Sequence, residues 1–178
     1  MYFQNTPLCS RLLIMNPATK AGDKGSTGNL SGERVSKNSP LIHLEGTLDE
    51  LNSHLGLVKT RLTGEDDRKF VEAVQLTLMK LMAHASDPDN KKYAFSEAEP
   101  AGLEDEISRL KEFLPQKFSL VVPGKSETEA FVHIARTVAR RAERYFAAVN
   151  EEKPLNPHAG EYLNRLSDYL FVLSFKDL

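Results

Sequence analysis

Apolar residues recur at alternating spacings of three and four along two long stretches of the chain. A repeat of this kind places the apolar side chains on one face of an α-helix and leaves the other faces polar. Each stretch therefore predicts a long amphipathic helix, over residues 41–62 and over residues 127–150. The apolar positions are Leu41, Leu44, Leu48, Leu51, Leu55, Val58 and Leu62 in the first stretch, and Phe131, Ile134, Ala135, Val138, Ala142, Tyr145, Phe146 and Val149 in the second.

The same spacing over fewer turns predicts three further helices. They cover residues 67–83, residues 103–113 and a final segment that begins at Asn156 and Pro157. Asparagine is a favoured N-cap and proline is favoured at the first helical position, so the last helix has a clear start signal. The apolar positions are Val71, Val74, Leu78 and Leu81, then Leu103, Ile107, Leu110 and Phe113, then Leu163, Leu166, Leu170 and Leu173.

The segments between these helices differ in character. Residues 16–40 contain four glycines and two prolines without apolar periodicity, which predicts a long, extended N-terminal loop rich in glycine. Residues 86–100 are polar and predict a connecting loop, and residues 118–122 form a short apolar run of extended type. Five helices with short connections predict an all-α fold, a five-helix bundle that forms one domain over residues 16–178.

Residues 1–15 are expected to lie apart from this bundle as a partly disordered N-terminal segment. Met1–Asn5 reads Met-Tyr-Phe-Gln-Asn, which resembles the remnant of a protease-cleavable expression tag. The longest early apolar run, Leu12–Met15, is far too short to cross a bilayer. We therefore expect neither an export signal nor a membrane partner.

Composition excludes several classes of function. The 178 residues carry a formal net charge of −2, whereas a protein that binds nucleic acid through a broad cationic surface is usually strongly basic. The single cysteine, Cys9, cannot form an internal disulfide, so a reducing, cytoplasmic setting is expected. The five histidines form no His-x-x-x-His pair, and the chain contains no Gly-x-Ser-x-Gly motif. These absences disfavour metalloenzymes and serine hydrolases.

Arginines at a spacing of four give the second long helix its most distinctive feature. Arg136, Arg140 and Arg144 can line one ridge, with Arg141 and Glu143 beside it. Three guanidinium groups on one ridge repel one another, and a single glutamate cannot neutralise them all. Phosphate would suit this ridge because arginine donates paired hydrogen bonds to adjacent oxygens. The alternative is a solvated helix face with ordinary intrahelical pairs.

Two other groups of polar residues could contribute to an anion site. Residues 22–28 combine glycines with two hydroxyls and a lysine, which are groups that cradle polyphosphates, although their order is neither that of a Walker loop nor that of a Rossmann turn. A flexible linker is the alternative for that segment. The last helix carries Asn164, Arg165 and Asp168, where an amide could orient a ribose or base and a carboxylate could hold an arginine. Asp49 and Glu50 on the first helix are equally compatible with a solvated surface.

In combination, these motifs resemble one known family. Residues 19–27, 32–37 and 46–53 are similar to the front half of the PduO-type ATP:cob(I)alamin adenosyltransferases, and residues 136–144 and 162–171 are similar to the back half. The resemblance extends over residues 19–174 and is weak between residues 60 and 117. It implies a bundle assembled as a homotrimer, with ATP and the corrinoid held between adjacent subunits.

The resemblance also assigns roles to individual residues. It implies catalytic roles for Arg136, Arg140 and Asp49, with Asp49 paired to Arg136 across the subunit interface, and structural or interface roles for Arg165 and Asp168. The implied ATP-binding residues are Thr19, Lys20, Gly22, Asp23, Lys24, Gly25, Ser26, Thr27, Lys37, Arg140, Arg141, Glu143, Arg144 and Asn164. Mg²⁺ is expected to accompany the triphosphate rather than to occupy a protein site. Cob(I)alamin is itself the nucleophile, so no protein nucleophile is required.

The chain departs from the family pattern on the corrinoid side. Leu120 lies where many members carry a phenylalanine against the lower face of the corrin, and Lys125 replaces a glycine. Phe118 could substitute, since residues two apart share a side of an extended segment. A flavoprotein reductase and a cobalamin-dependent enzyme are the implied protein partners. Two alternatives stay open: a non-catalytic relative that binds ATP or corrinoid as a sensor or carrier, and a helical scaffold whose arginines bind another protein.

Overall fold

The computed structural model describes residue 20, residues 22–117 and residues 120–176. Five α-helices dominate it, and the prediction of five helices is confirmed. They are α1 (Pro40–Arg61), α2 (Glu65–Ser86), α3 (Ala98–Leu110), α4 (Glu127–Glu152) and α5 (Pro157–Leu173). Two short strands, β1 (Ser26–Gly28) and β2 (Arg34–Ser36), precede them, and 3-10 turns at Lys91–Tyr93 and Lys111–Phe113 follow α2 and α3. Thr19, Phe118 and the predicted N-terminal segment 1–15 lie outside the described residues.

Helix α1 packs against two other helices. It contacts α4 on one side and α2 on the other, and α5 packs between α4 and α3. The apolar stripe predicted for α1 is its buried face, since Leu44, Leu48, Leu51 and Leu55 are fully buried. Burial of each leucine side chain stabilises the folded state by roughly 1.5–3 kcal/mol, so the stripe makes a large contribution to the packing of α1 against α2 and α4.

Capping residues define where the site-bearing helices begin. Ser39 caps α1 ahead of Pro40, and Ser126 caps α4. The predicted N-cap Asn156 is confirmed, because its Oδ1 accepts a 2.9 Å hydrogen bond from the backbone N–H of His158. Its Nδ2 also donates to the carbonyl of Phe95 at 2.9 Å, so this one side chain ties the start of α5 to the α2–α3 connection.

The predicted start of α3 is wrong by five residues. The helix begins at Ala98 rather than at Leu103, and it includes Pro100 in its first turn. Proline is tolerated there because the first N–H groups of a helix have no intrahelical acceptor. Residues 86–100, which are rich in residues that disfavour helix interiors, therefore contain a helix start as well as a loop.

The prediction of one unbroken extended loop over residues 16–40 is also wrong. Ser26 pairs with Ser36 and Gly28 with Arg34 in an antiparallel hairpin, so the fold is mostly rather than wholly helical. Asn29 closes the turn by accepting a 2.8 Å hydrogen bond from the N–H of Glu33. These strands lack alternating apolar residues, which is why periodicity does not reveal them. The turn instead depends on side-chain hydrogen bonds and on a glycine, Gly32, at φ 88°.

A hydroxyl group joins the hairpin to the helices. The backbone N–H of Leu30 donates to Ser86 Oγ at 2.8 Å, and Ser86 lies at the end of α2. Ser86 also hydrogen-bonds to the half-buried carboxyl group of Glu45 on α1, whose pKa is raised by burial against the opposing effect of that bond. The hairpin is thereby attached to the α1–α2 side of the bundle.

Buried His84 makes the stability of the fold depend on pH. Its side chain is almost fully buried, and Nε2 accepts a 3.2 Å hydrogen bond from the N–H of Asn156, which requires the neutral imidazole. Burial, with a smaller contribution from the charge of Lys80, lowers the pKa of His84 below its usual 6.5. The unfolded chain therefore binds a proton that the folded protein does not, and unfolding is favoured as the pH falls below about 6.5.

We expect His84→Gln to remove this pH dependence. A glutamine Oε1 can replace the imidazole nitrogen as acceptor but cannot take up a proton in this range. Urea unfolding between pH 8 and pH 5 should show that the free energy of unfolding of the wild-type protein declines relative to that of His84→Gln as the pH falls. Parallel curves for the two proteins would show that the histidine does not couple folding to protonation.

Within the part of the chain that the structure describes, no helix is both long enough and apolar enough to cross a bilayer.

Candidate active site

The arginine ridge of α4 presents exposed guanidinium groups. The four-residue spacing places Arg136, Arg140 and Arg144 along one side of the helix, as predicted. Arg140 and Arg144 are exposed, and Arg144 donates to the backbone carbonyl of Arg140 at 3.0 Å. Among the described residues, no carboxylate forms an ion pair with either guanidinium group. Their hydrogen-bond donors are therefore available to an anion from solution.

The other two arginines of this helix have partners within the chain. Arg141 forms an ion pair with Glu50 of α1 and so lies on the side of α4 that faces α1. Arg136 donates from Nε to His133 Nδ1 at 3.3 Å, and its guanidinium group lies 5.9 Å from the centre of the Phe171 ring. The four arginines thus divide into two without a carboxylate partner among the described residues and two with side-chain partners, Glu50 of α1 for Arg141 and His133 of α4 for Arg136.

An amide on α5 lies beside the open arginines. Asn164 Nδ2 donates to Glu143 Oε1 at 2.9 Å, while Asn164 Oδ1 accepts from Arg165 at 2.8 Å. Arg165 also bonds to Glu104 of α3 at 2.7 Å and approaches Asp168 at 3.5 Å. These contacts fix the orientation of the amide, so Glu143 and Asn164 form a rigid polar edge next to the ridge.

The hairpin carries the predicted phosphate-binding segment. Gly25 has φ 81°, and its carbonyl accepts a 2.9 Å hydrogen bond from the N–H of Lys37. The Lys37 side chain lies across Gly22, where an added methyl group would come within 3.1 Å of Nζ. Glycine at this position therefore permits the ammonium group to lie against the backbone. The remaining predicted members described here are Lys20, Asp23, Lys24, Ser26 and Thr27, of which Lys20, Asp23 and Lys24 are exposed.

Within the described residues, no contact noted above for the ridge arginines joins the ridge to the hairpin. The hydrogen bonds and ring contact of Arg136, Arg140 and Arg144 reach none of the described hairpin residues. An indirect link exists at the end of the hairpin, where Asn38 Oδ1 lies 3.0 Å from His43 Nε2 and the His43 ring stacks on Tyr145 of α4 at 5.2 Å. The predicted ATP-binding residues thus form two groups on one molecule.

Two residues predicted to act at the site remain exposed. Asp49 on α1 is exposed, and within the described residues its carboxylate has no hydrogen-bond or ion-pair partner. Leu120 is 92% exposed, and the neighbouring Val122 is 85% exposed. Large apolar side chains this open to water, two residues apart, are typical of a surface that a ligand or a partner covers.

Glu129 and His133 are residues of this region that the sequence interpretation missed. Both are 4% exposed, and His133 Nε2 lies 3.0 Å from Glu129 Oε1. Glu129 Oε2 accepts from the backbone N–H groups of Gly124 at 2.7 Å and Lys125 at 3.2 Å. Two local signals could have revealed them: the Ser126-x-x-Glu129 pattern of a helix start, and the four-residue spacing from Glu129 to His133.

No group of three or more histidine, cysteine, aspartate or glutamate side chains comes together as a metal-binding cluster in residues 22–117 and 120–176.

Comparison with known proteins identifies close relatives. A family model for cobalamin adenosyltransferases matches residues 17–176. A protein named cobalamin adenosyltransferase from Cupriavidus metallidurans is 42% identical over 159 residues, a match that covers 88% of this chain and 85% of that protein. Corrinoid adenosyltransferase PduO from Salmonella typhimurium is 36% identical over 160 residues, but the match covers only 48% of it. The chain thus spans about half the length of that relative.

A solved structure shares the fold. A phenylalanine-to-alanine variant of a PduO-type ATP:corrinoid adenosyltransferase from Lactobacillus reuteri, complexed with cobalamin and ATP, superposes with a TM-score of 0.80 at 30% sequence identity. The match covers 88% of this chain and 90% of that chain. The helical arrangement described above is therefore one that exists with both ligands bound in a related protein.

Proposed function

The chain belongs to the cobalamin adenosyltransferase family, and on that premise we propose that it transfers the 5′-adenosyl group of ATP to the cobalt of cob(I)alamin. The observation that carries this proposal is the pair of exposed guanidinium groups of Arg140 and Arg144, which have no carboxylate partner among the described residues. They adjoin the fixed edge formed by Glu143 and Asn164. Such a surface suits a triphosphate with a nucleoside attached.

The reaction is a displacement at the ribose 5′ carbon. The electron pair of the reduced cobalt forms the new cobalt–carbon bond, and the bond from that carbon to the triphosphate oxygen breaks with both electrons leaving on oxygen. The products are adenosylcobalamin and triphosphate. Negative charge develops on the leaving oxygen, so hydrogen-bond donors held near it accelerate the step. Alignment of the two substrates for the displacement supplies the remaining rate acceleration. This chemistry needs no nucleophile or general base from the protein.

The described residues suggest how the work is divided. Arg140 and Arg144 would bind the triphosphate from the ridge side. Lys37 and the backbone around Gly22 and Gly25 would enclose it from the hairpin side, together with Thr19, which lies outside the described residues. Mg²⁺ would bind to the triphosphate oxygens and supply further charge neutralisation, which is the usual mode for this ion.

We place the complete site between subunits of a homotrimer. Among the described residues, the contacts noted above for the ridge arginines do not reach the hairpin, which supports an arrangement in which a neighbouring copy brings one group to the other. Asp49 is exposed on α1, and in this arrangement it would pair with Arg136 of the adjacent subunit. Each active site would then require two chains.

Asp49→Asn tests this arrangement. Removing the charge while keeping the size should weaken the trimer, because a charge-assisted pair is replaced by a neutral contact. We expect sedimentation at micromolar concentration to show a shift toward smaller species, with adenosyl transfer reduced by about tenfold. Glu151→Gln, an exposed acid near the end of α4, is the matched control. A stable trimer with full activity would contradict the pairing.

The corrinoid would bind beside the exposed residues that precede α4. Leu120, with Phe118 outside the described residues, would cover the lower face of the ring. Leu120 and Lys125 also favour a second candidate function, in which the protein binds ATP or corrinoid as a sensor or carrier without efficient turnover. Leucine offers a smaller and non-planar surface than the phenylalanine common in the family.

Leu120→Phe distinguishes these two functions. A phenyl ring adds apolar contact area against a planar ligand, so we expect kcat/KM for the corrinoid to rise by about two- to tenfold. Leu76→Phe, at an exposed apolar position on α2, should have little effect. A carrier without turnover would gain corrinoid affinity in Leu120→Phe but would still form no adenosylcobalamin.

The proposed function itself is tested by incubation of the protein with ATP, Mg²⁺ and chemically reduced cobalamin. We expect the spectrum of adenosylcobalamin to appear with one equivalent of triphosphate, and ATP to raise the melting temperature in a concentration-dependent manner. Thermal stabilisation without product would support the carrier. A protein that binds neither ligand would instead be a scaffold.

The reaction also implies partners. Cob(I)alamin must be supplied by one-electron reduction of cob(II)alamin, for which a flavoprotein reductase could donate the electron, and the product must pass to a cobalamin-dependent enzyme. A single cysteine cannot form an internal disulfide, which agrees with a reducing, cytoplasmic setting. The net charge of −2 gives no support for a nucleic-acid partner.

A further inference from the structure

A series of polar contacts connects the turn before α4 with the arginine ridge: hydrogen bonds at its two ends, and between them a close approach of a carboxylate to an imidazole nitrogen that has no hydrogen-bond partner among the described residues. Gly124 and Lys125 donate from their backbone N–H groups to Glu129 Oε2 at 2.7 and 3.2 Å. The other carboxylate oxygen, Oε1, lies 3.0 Å from His133 Nε2, and His133 Nδ1 accepts from Arg136 Nε at 3.3 Å. The series thus runs from the segment that follows Leu120 to the first arginine of the ridge.

The partners determine the tautomer of His133. A guanidinium group only donates hydrogen bonds, so His133 Nδ1 must be unprotonated to accept from Arg136. The neutral imidazole then carries its proton on Nε2, which faces the carboxylate of Glu129. The Glu129 carboxylate thus lies against the protonated nitrogen at 3.0 Å, and the imidazole accepts a hydrogen bond from the guanidinium group of Arg136.

Helix capping alone does not explain Glu129. Ser126 Oγ already accepts from the N–H of Glu129 at 3.1 Å, which satisfies one end of the usual capping arrangement. A glutamate at this position normally returns a bond to the N-cap residue, whereas Glu129 is turned toward Gly124, Lys125 and His133. A carboxylate that is 4% exposed is costly to bury, so a simple cap would not require it.

We infer that Glu129 and His133 are positioning residues that fix the turn at Gly124 and Lys125 relative to Arg136. The inference rests on the proposed function and extends it, because it names residues that act on both halves of the site without touching either substrate. A misplacement of about 1 Å at a reacting centre can cost about a hundredfold in rate, so such a connection would affect turnover more than binding.

Two substitutions at His133 test its contact with Glu129 and its hydrogen bond to Arg136 separately. In His133→Asn, the side-chain oxygen can occupy the place of Nδ1 and accept from Arg136. In His133→Gln, the longer amide reaches the place of Nε2 and leaves Arg136 without its acceptor. We expect His133→Gln to lower kcat by about 10- to 100-fold with a much smaller change in KM for ATP, and His133→Asn to retain more of kcat.

Urea unfolding of both variants distinguishes positioning from stability. If His133 only supports the fold, both variants lose stability while kcat of the folded protein is unchanged, and the inference is wrong. Equal losses of kcat in the two variants would also overturn it, because the bond to Arg136 would then have no particular importance.

A second measurement does not depend on activity. In Glu129→Gln, the two backbone donors retain the side-chain oxygen, so the amide N–H group faces His133 and favours a proton on Nδ1 instead of Nε2. Nitrogen-15 spectra of histidine-labelled protein should show an unprotonated Nδ1 in the wild type and a protonated Nδ1 in Glu129→Gln. A protonated Nδ1 in the wild type would overturn the inference, even if adenosyl transfer is established. If transfer fails while the tautomer is as expected, the proposed function fails and the series of contacts from Glu129 through His133 to Arg136 stands.

Discussion

Arg140→Ala is expected to lower kcat/KM for adenosyl transfer by about 10²- to 10³-fold while leaving the fold intact. Loss of one donor to a charge that develops in the transition state typically has an effect of this size. Arg140 lies in the middle of the ridge, between Arg136 and Arg144, and its guanidinium group is exposed. Its truncation leaves no buried partner unsatisfied, so the loss should fall on the reaction and not on stability.

Steady-state kinetics with ATP and reduced cobalamin, together with urea unfolding, measure both sides of this prediction. Lys69→Ala is a suitable control, since this cation is 67% exposed on α2 and pairs only with Glu65 at 3.3 Å. If Lys69→Ala and Arg140→Ala reduce activity equally, the effect is one of general surface charge. Kinetics like those of the wild type would remove Arg140 from the site.

Asp67→Ala should produce the largest loss of stability among the substitutions considered. Asp67 is 4% exposed on α2, where Oδ1 accepts from Arg109 of α3 at 2.9 Å and Oδ2 accepts from Lys176 beyond α5. The hydrogen bond to Glu106, and then that to Asp67, raise the pKa of the Arg109 guanidinium group. One carboxylate thus connects three elements that are distant in sequence.

We expect this substitution to reduce the free energy of unfolding by about 2–3 kcal/mol. Removing one member of a buried ion pair usually costs more, but Arg109 and Lys176 keep access to water and can be rehydrated. Urea unfolding measures the loss, and Asp66→Ala, which removes the neighbouring exposed carboxylate, should change stability by less than about 0.5 kcal/mol. Activity per folded molecule should be unchanged, since the cluster lies away from the ridge. Equal stabilities of the two variants would contradict the role assigned to Asp67.

The different partners of the four arginines of α4 suggest why the helix carries so many. Arg141 ties α4 to α1 through Glu50, and Arg136 is held by His133. Arg140 and Arg144 are exposed and have no carboxylate partner among the described residues. The two held arginines contribute positive potential to the surface without the freedom to move, and fixed charge of this kind favours binding and stabilisation of an anionic leaving group.

Much of the fold was predictable because an amphipathic helix requires apolar residues at regular spacings of three and four, which are visible within a short stretch of sequence. Leu44, Leu48, Leu51 and Leu55 are three or four residues apart, and the buried face they form follows from helix geometry alone. The start of α5 was equally local, since Asn156 acts on the two residues that follow it. The start of α3 was missed because a proline in the sequence normally indicates a helix break. Pro100 is nevertheless compatible with the first turn of a helix, which is where it lies.

The sequence by itself determined which residues could form helices, which helix faces would be buried and that three arginines would share one ridge. Each of these depends on residues within one or two turns of one another, where spacing alone specifies geometry. Only the tertiary structure decided that Arg141 would pair with a glutamate 91 positions away, that Ser86 would hold the hairpin, and that Glu129 would connect the turn at Gly124 to His133. Those outcomes depend on how packed helices bring distant or unpatterned polar groups together, and side-chain partners across such distances are set by burial and hydrogen-bond geometry rather than by periodicity.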